Sequence, residues 1–190
     1  VPDGLNEIFR IKDISKVFNI NRVNKAGAKF DWDKLNWINS QFIHGFSEEE
    51  LFNMLNPLWL NEDWKVKDKE WGIALTKLLR PSLVLLVDGV NQARPFFNKP
   101  ELTIEGINQL KTEGAKECLR ILLQALKDTP WDGKEINVAK NLLKVSSEVA
   151  NVKKGLLMKS LRVALLGDIN GPDLLISWSL LAQSGQDQER

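Results

Sequence analysis

Cysteine and histidine are nearly missing from this sequence: its 190 residues hold one of each, Cys118 and His44. A lone thiol excludes an intramolecular disulfide framework and leaves no paired-thiol motif for zinc or redox work. A lone imidazole excludes a histidine-rich metal site and leaves little from which to build a nucleophile–base pair. Tyrosine is absent, although the chain carries seven Trp and eight Phe. No charge sign dominates either: 26 Lys and Arg stand against 25 Asp and Glu, a formal net charge of +1. Bulk electrostatics therefore neither demand nor forbid a polyanionic partner. The longest apolar run, LVLLV at Leu83–Val87, is far too short to span a bilayer. The opening residues lack the basic and apolar regions of a secretory leader. No glycine-rich loop for a nucleotide appears. These absences describe a reduced, intracellular protein with poor catalytic equipment.

What is present is helical pattern, with enough apolar residues (43%) to bury a core. Between Phe30 and Ile43, residues Leu35, Ile38, Phe42 and Ile43 recur at helical spacing behind Asp31 and Asp33. Ser47 with Glu50 three residues on forms a capping box ahead of Leu51, Met54 and Leu55. Pro57 and the polar stretch 61–69 are read as breaking that helix. A helix through Trp71, Leu75 and Leu79 stops near Arg80, where Pro81 interrupts. An apolar run from Ser82 to Phe97 is closed by Pro95 and Pro100, marking a boundary near Asn98–Glu101. Beyond it, Thr103 and Glu105 open a helix with Ile107 and Leu110. Leu119–Leu126, Val138–Val152, Lys154–Gly167 and Asp173–Gln183 follow as further helical runs. Strand-like alternation is nearly absent. The expected fold is all-α: two helical bundles, residues 1–98 and 99–190, the second with a polar tail. The chain opens at Val1 without an initiator Met and enters patterned sequence at once, which reads as a piece of a longer protein.

Few residues offer chemistry. His44 follows an apolar run, and its plainer reading is a helix-end histidine favoured by the helix dipole. Cys118 sits beside Leu119 and reads as a buried, unreactive thiol. Asp31/Asp33 and Glu48–Glu50 read as helix N-terminal charge, with no metal-ligand pattern around them. Local charge says more. Lys140, Lys144, Lys153, Lys154, Lys159 and Arg162 face only Glu148, a surplus that suits phosphates. A second basic stretch, Lys16, Arg22, Lys25, Lys29 and Lys34, runs into Trp32 and Trp37, and aromatics beside cations are a common platform for unpaired bases. On charge alone, a solvated basic face over a tryptophan core explains the same residues.

Three segments bear a family resemblance. NKAGAKFDWDKLNWINSQFIH (Asn24–His44), LLRPSL (Leu78–Leu83) and LLMKSLRVALLG…GPDLL (Leu156–Leu175) resemble, in order and spacing, motifs of the anticodon-binding region of bacterial-type glutamyl-tRNA synthetases. The resemblance covers essentially the whole chain up to Gln183. It implies a two-bundle anticodon-binding domain of a class I synthetase, acting as a monomer in the cytoplasm. It also implies that catalysis lies upstream: the ATP-binding motifs of the class are missing here, and FIHGFS lacks the strand context and second His of the first. The parent enzyme would use ATP and magnesium to join glutamate to its tRNA, and this chain would hold neither.

The same resemblance assigns roles. Arg162 falls where the family places an anticodon-reading arginine, with a guanidinium suited to a base edge and phosphate pairing or plain surface charge as the alternative. Lys159 and Arg80 belong to the same motifs. Leu174 falls where an apolar residue packs on a splayed base, or is a core leucine. Lys34 and Trp37 match positions near the anticodon stem, or Trp37 is a packed helix residue. Two departures stand out. Ser82 occupies the place of an arginine that tells a final anticodon C from G, and Leu166 replaces a threonine. The loss of that arginine implies a non-discriminating enzyme, charging glutamine tRNA as well as glutamate tRNA. Without RNA binding, the chain would be a helical protein–protein interaction domain.

Overall fold

The computed structural model describes residues 8–16, 18–22, 27 and 29–189. Val1, Asn24 and Lys25 of the sequence reading, and the side chain of Arg22, lie outside them. Among the described residues all regular structure is helical. The order is α1 (Ile11–Ile14), α2 (Trp32–Gly45), α3 (Glu48–Asn61), α4 (Lys69–Leu79), α5 (Asp88–Phe97), α6 (Ile104–Lys111), α7 (Ala115–Asp128), α8 (Ile136–Val149), α9 (Lys154–Leu166) and α10 (Leu174–Gln183). Single 3₁₀ turns occur at Ile20–Arg22 and Arg80–Ser82.

The first N–H groups of a helix lack internal partners, and short polar side chains supply them here. Asp31 accepts from the Lys34 N–H at 3.0 Å, Asp68 from Trp71 at 2.7 Å, Thr103 from Gly106 at 3.1 Å and Asp173 from Ile176 at 2.9 Å. Ser47 and Glu50 close the expected capping box: the Ser47 N–H donates to the Glu50 carboxylate at 2.9 Å, and the Glu50 N–H to the Ser47 hydroxyl at 3.2 Å. The Ser47 hydroxyl, which donates to the Glu50 carboxylate at 2.7 Å, and the Ser47 N–H together hold that carboxyl below its ordinary pKa.

Two prolines do not end helices as their sequence context suggests. Pro57 lies inside α3 and Pro95 inside α5. Each deprives one carbonyl four residues earlier of its helical donor, those of Asn53 and Asn91. Both of these residues lie on the exposed side of their helices. Meanwhile the turns beyond the prolines bury Trp59 and Phe96 completely, which holds the helices on course. The run from Ser82 also differs from its reading. Residues 83–87 form a bend, whose Val84 and Leu85 N–H groups donate to the Asp88 carboxylate at 3.1 and 2.7 Å, before α5 begins.

Helices α3, α4 and α5 pack together, with α2 against the 80–82 turn, while α6–α10 surround α9. An aromatic knot fills the first group. Trp64 stacks on Phe97 at 5.1 Å, and Trp59 and Trp71 approach the same ring at 5.7 and 5.6 Å. In the second group Trp131 meets Trp178 edge-on at 4.9 Å. Trp59, Trp64, Trp71, Trp131 and Trp178 are all buried in the core. Contacts of α4 with α10 and of α5 with α9 join the groups, and the buried side chains form one continuous cluster. The Trp71 indole N–H donates to the Leu180 carbonyl of α10 at 2.9 Å, linking the two groups directly.

Cys118 is fully buried, and burial pushes its thiol pKa up, which keeps it inert as read. His44 ends α2, and its Nε2 lies 3.1 Å from the Leu83 carbonyl, so that nitrogen carries the proton and donates.

Replacing Trp71 with Phe keeps most of the ring packing but removes the donor to Leu180. Urea denaturation is expected to show a loss of about 1–3 kcal/mol, greater than for the same change at exposed Trp37. Asp187 supplies a pH test. Burial raises its carboxyl pKa, only partly offset by the Trp178 indole N–H that donates to it at 3.1 Å. Because the folded value lies above the unfolded one, Asp187 destabilises the fold at neutral pH, and this penalty fades as pH falls through the folded pKa. Asp187→Asn keeps an acceptor for Trp178 without the charge. Its melting temperature should therefore exceed that of the wild type at pH 7, with the gap closing toward pH 4.

Candidate nucleic-acid interface

A groove of about 1000 Å³ opens where α4 and α5 face the loop between α9 and α10. One wall carries Leu78, Pro81 and Ser82 from the end of α4 and the 3₁₀ turn, with Asn91 and Gln92 from α5. The other carries Leu166, the 170–173 turn and Ile176. The lining is largely apolar with a few polar groups at its edge, the arrangement expected of a site for flat, partly polar ligands.

Local chemistry fixes both walls. Pro81 at the start of the 3₁₀ turn directs the chain out of α4. The turn is held from behind: an Arg80 guanidinium N–H donates to the Phe46 carbonyl at 3.2 Å, His44 to Leu83, and the Asn39 amide to the Val84 carbonyl. On the opposite wall, Gly167 ends α9 at φ +86, a left-handed conformation that favours glycine. Its neighbourhood has no room for a larger residue, since a Cβ there would come 2.2 Å from the Glu101 carbonyl oxygen. The Gly167 carbonyl accepts from the Thr103 N–H at 3.0 Å, which locks the loop onto the chain entering α6. Asp168 accepts from the Asn170 N–H at 2.8 Å, and Asp173 caps α10, so both acids on this wall are engaged with backbone.

The seven residues singled out from sequence fall in different places. Ser82 lines the groove, where its hydroxyl oxygen lies 2.8 Å from the Leu79 carbonyl and 2.6 Å from Gln92 Oε1. Arg162, on α9, is half-buried and donates to the Pro172 carbonyl, bracing the loop from beneath without itself lining the groove. Lys159 is exposed nearly one turn earlier on the same helix. Arg80 stands behind the turn as a strut. Lys34 and Trp37 lie on α2 and do not line the groove; the Lys34 ammonium sits 4.7 Å from the centre of the Trp37 ring, which is 42% exposed. Leu174 is 3% exposed and belongs to the core, so its side chain offers no face to a base. The apolar residue of α10 turned into the groove is Ile176, 45% exposed. Leu166 does line the groove, confirming an apolar side chain at the position singled out as a departure. Gln92 and Asn91 escaped the sequence reading, because only the bend at 83–87 brings α5 back beside the end of α4.

The remaining lysines of the basic cluster, Lys140, Lys144, Lys153 and Lys154, are exposed on α8, at the turn before α9 and at its start. Of the other basic stretch, Lys16 and Lys29 are also exposed. Among the described residues, no three His, Cys, Asp or Glu side chains are grouped to hold a metal ion. No helix among them is long and apolar enough to cross a membrane.

An all-helical unit with two packed groups, a groove between them and exposed lysines nearby is the form of a helical recognition module. A protein-family comparison makes the class specific: the anticodon binding domain family matches residues 50–184, and the chain belongs to that family. Its relatives include the glutamate–tRNA ligases of Synechococcus sp. (strain WH7803), 54% identical, and Prochlorococcus marinus (strain MIT 9303), 52% identical. In both, the match covers 100% of this chain and 40% of the relative, so the chain spans about two fifths of their length. Among solved structures, a glutamate tRNA ligase from Elizabethkingia meningosepticum superposes with a TM-score of 0.74 at 23% identity, over 90% of this chain and 35% of that one. That likeness extends the shared fold to a distant sequence.

Proposed function

We propose that this chain is the anticodon-recognising C-terminal part of a glutamate–tRNA ligase, organised as the two sub-domains 1–98 and 99–190. The observation that carries the reading is the groove itself. It joins Ser82 and Pro81 of the R-P-S element to the loop after the S-L-R-V-A-L-L-G segment, uniting two sequence motifs far apart in the chain. Splayed anticodon bases would enter between the apolar walls, where Pro81 and Ile176 offer exposed faces to the rings. Arg162 would add donors for a base edge or phosphate, and Lys159 and the lysines of α8 and α9 would meet the backbone. Lys34 and Trp37, away from the groove on α2, are suited to the stem. Arg80 would act through position, by holding the turn that carries Ser82.

The whole enzyme would activate glutamate with ATP and magnesium in its upstream part and transfer it to tRNA, while this region selects the tRNA. With Ser82 rather than an arginine on the groove wall, glutamine tRNA would be accepted beside glutamate tRNA. The enzyme would work as a cytoplasmic monomer.

Binding of a glutamate anticodon stem-loop, followed by fluorescence anisotropy over a salt series, tests the reading. Affinity should fall linearly on a log–log plot as salt rises, with a slope set by the phosphates contacted. Arg162→Ala should cost about 1–3 kcal/mol of RNA affinity if the guanidinium reads a base. Salt-independent or absent binding would instead favour a helical protein–protein interaction module.

A further inference from the structure

Ser82 has one hydroxyl proton but stands within hydrogen-bond distance of two acceptor atoms as assigned, the Leu79 carbonyl at 2.8 Å and Gln92 Oε1 at 2.6 Å. One proton cannot serve both fully, and the oxygen and nitrogen of a glutamine amide exchange places by a simple flip. Two fully bonded arrangements result. In one, Ser82 donates to Gln92 Oε1, and the amide NH₂ of Gln92 is left toward the groove as a donor. In the other, Ser82 donates to the Leu79 carbonyl and accepts from the Gln92 NH₂, so the Gln92 carbonyl oxygen is left toward the groove as an acceptor. In both arrangements the hydroxyl proton has an acceptor, so the geometry permits either.

We propose that Gln92, set by the Ser82 hydroxyl, is a base-reading residue of the groove, and that its reversible donor–acceptor edge lets one site accept either cytosine or guanine. The donor state meets the O6 carbonyl of guanine, and the acceptor state meets the N4 amino group of cytosine. These two bases are the ones that must be accommodated: glutamate codons begin with G and glutamine codons with C, so the final anticodon base is C in one tRNA and G in the other. The charged side chains that line the groove each have a partner already. Asp168 and Asp173 accept backbone N–H groups, and Lys77 pairs with Glu48 at 3.1 Å. Leu78 and Pro81 flank the pair with apolar surface able to cover the face of a ring. The inference rests on the anticodon reading and assigns the residue that makes it tolerant.

The test compares two anticodon stem-loops, identical except for C or G at the final anticodon base, bound to the 190-residue chain. The readout is the ratio of the two dissociation constants, because a uniform change in charge or stability leaves it unmoved. The wild type should bind the two within about threefold. Gln92→Glu presents acceptors only, and should shift the ratio about tenfold toward the C-ending loop. Gln92→Lys presents donors only and should shift it toward the G-ending loop. Ser82→Ala frees the amide, so both loops should weaken while the ratio stays near one. Both side chains are at least partly solvent-exposed, and melting curves would verify that each variant folds. A wild-type preference beyond tenfold, or an unchanged ratio in Gln92→Glu with binding retained, would overturn the proposal and leave the anticodon reading standing. Failure of the wild type to bind either loop would overturn the anticodon reading itself.

Discussion

The hydrogen bond from the Trp71 indole to the Leu180 carbonyl is the constraint on which the geometry turns. Trp71 belongs to the knot of rings around Phe97, and Leu180 lies in the last turn of α10, where its carbonyl also accepts the Ser184 N–H at 3.2 Å. The bond thus gives the Leu180 carbonyl a second donor and satisfies a buried indole N–H that would otherwise be costly. Because both partners are buried, it acts in a poorly screened interior and fixes α4 against α10 more firmly than a surface ion pair would. The pairs on this surface, such as Lys77 with Glu48, are exposed and contribute little.

Fixing α4 to α10 ties together the two helices that carry the groove's walls. Those walls are the C-terminal end of α4 and the loop that feeds the N-terminus of α10, so each is attached to one partner of that bond. The walls are then stiffened separately: Arg80, His44 and Asn39 hold the turn at 80–84, and Gly167, Thr103 and Arg162 hold the opposite loop. Rigid walls would leave the ordering cost of binding with the proposed RNA ligand, whose unpaired bases must be splayed in any case.

The sequence made the helices legible wherever a local rule decides. Asp31, Ser47, Thr103 and Asp173 cap the helices they precede, because an N-cap depends only on residues within one turn. Pro57 and Pro95 were misread because the outcome depends on where the freed carbonyl points, and that is settled by which helix face packs. Leu174 and Ile176 show the same limit. Both are apolar, two residues apart, and only the seating of α10 decides that the first is core and the second faces the groove. Gln92 was beyond reach for a topological reason. Ser82 and Gln92 are ten residues apart across a bend, with no periodicity linking them, so no local pattern marks their contact.

The scarcity of cysteine and histidine and the abundance of tryptophan then have one physical account. A recognition surface needs shape, apolar plates and hydrogen-bonding edges, not groups that ionise near neutral pH. Five of the seven tryptophans are buried, filling the two aromatic clusters and placing three of their indole donors on Gly89, Leu180 and Asp187. Tyrosine would put its hydroxyl at the far end of the ring, where the knot around Phe97 is closed by other rings, whereas an indole N–H leaves from the ring's side toward a helix carbonyl. The net charge of +1 conceals the division of labour on the surface. Lysines gather on α8 and α9, while many of the acids are consumed at helix N-termini, where they stabilise the scaffold. The average is neutral because the same fold needs acids for its caps and bases for its proposed ligand.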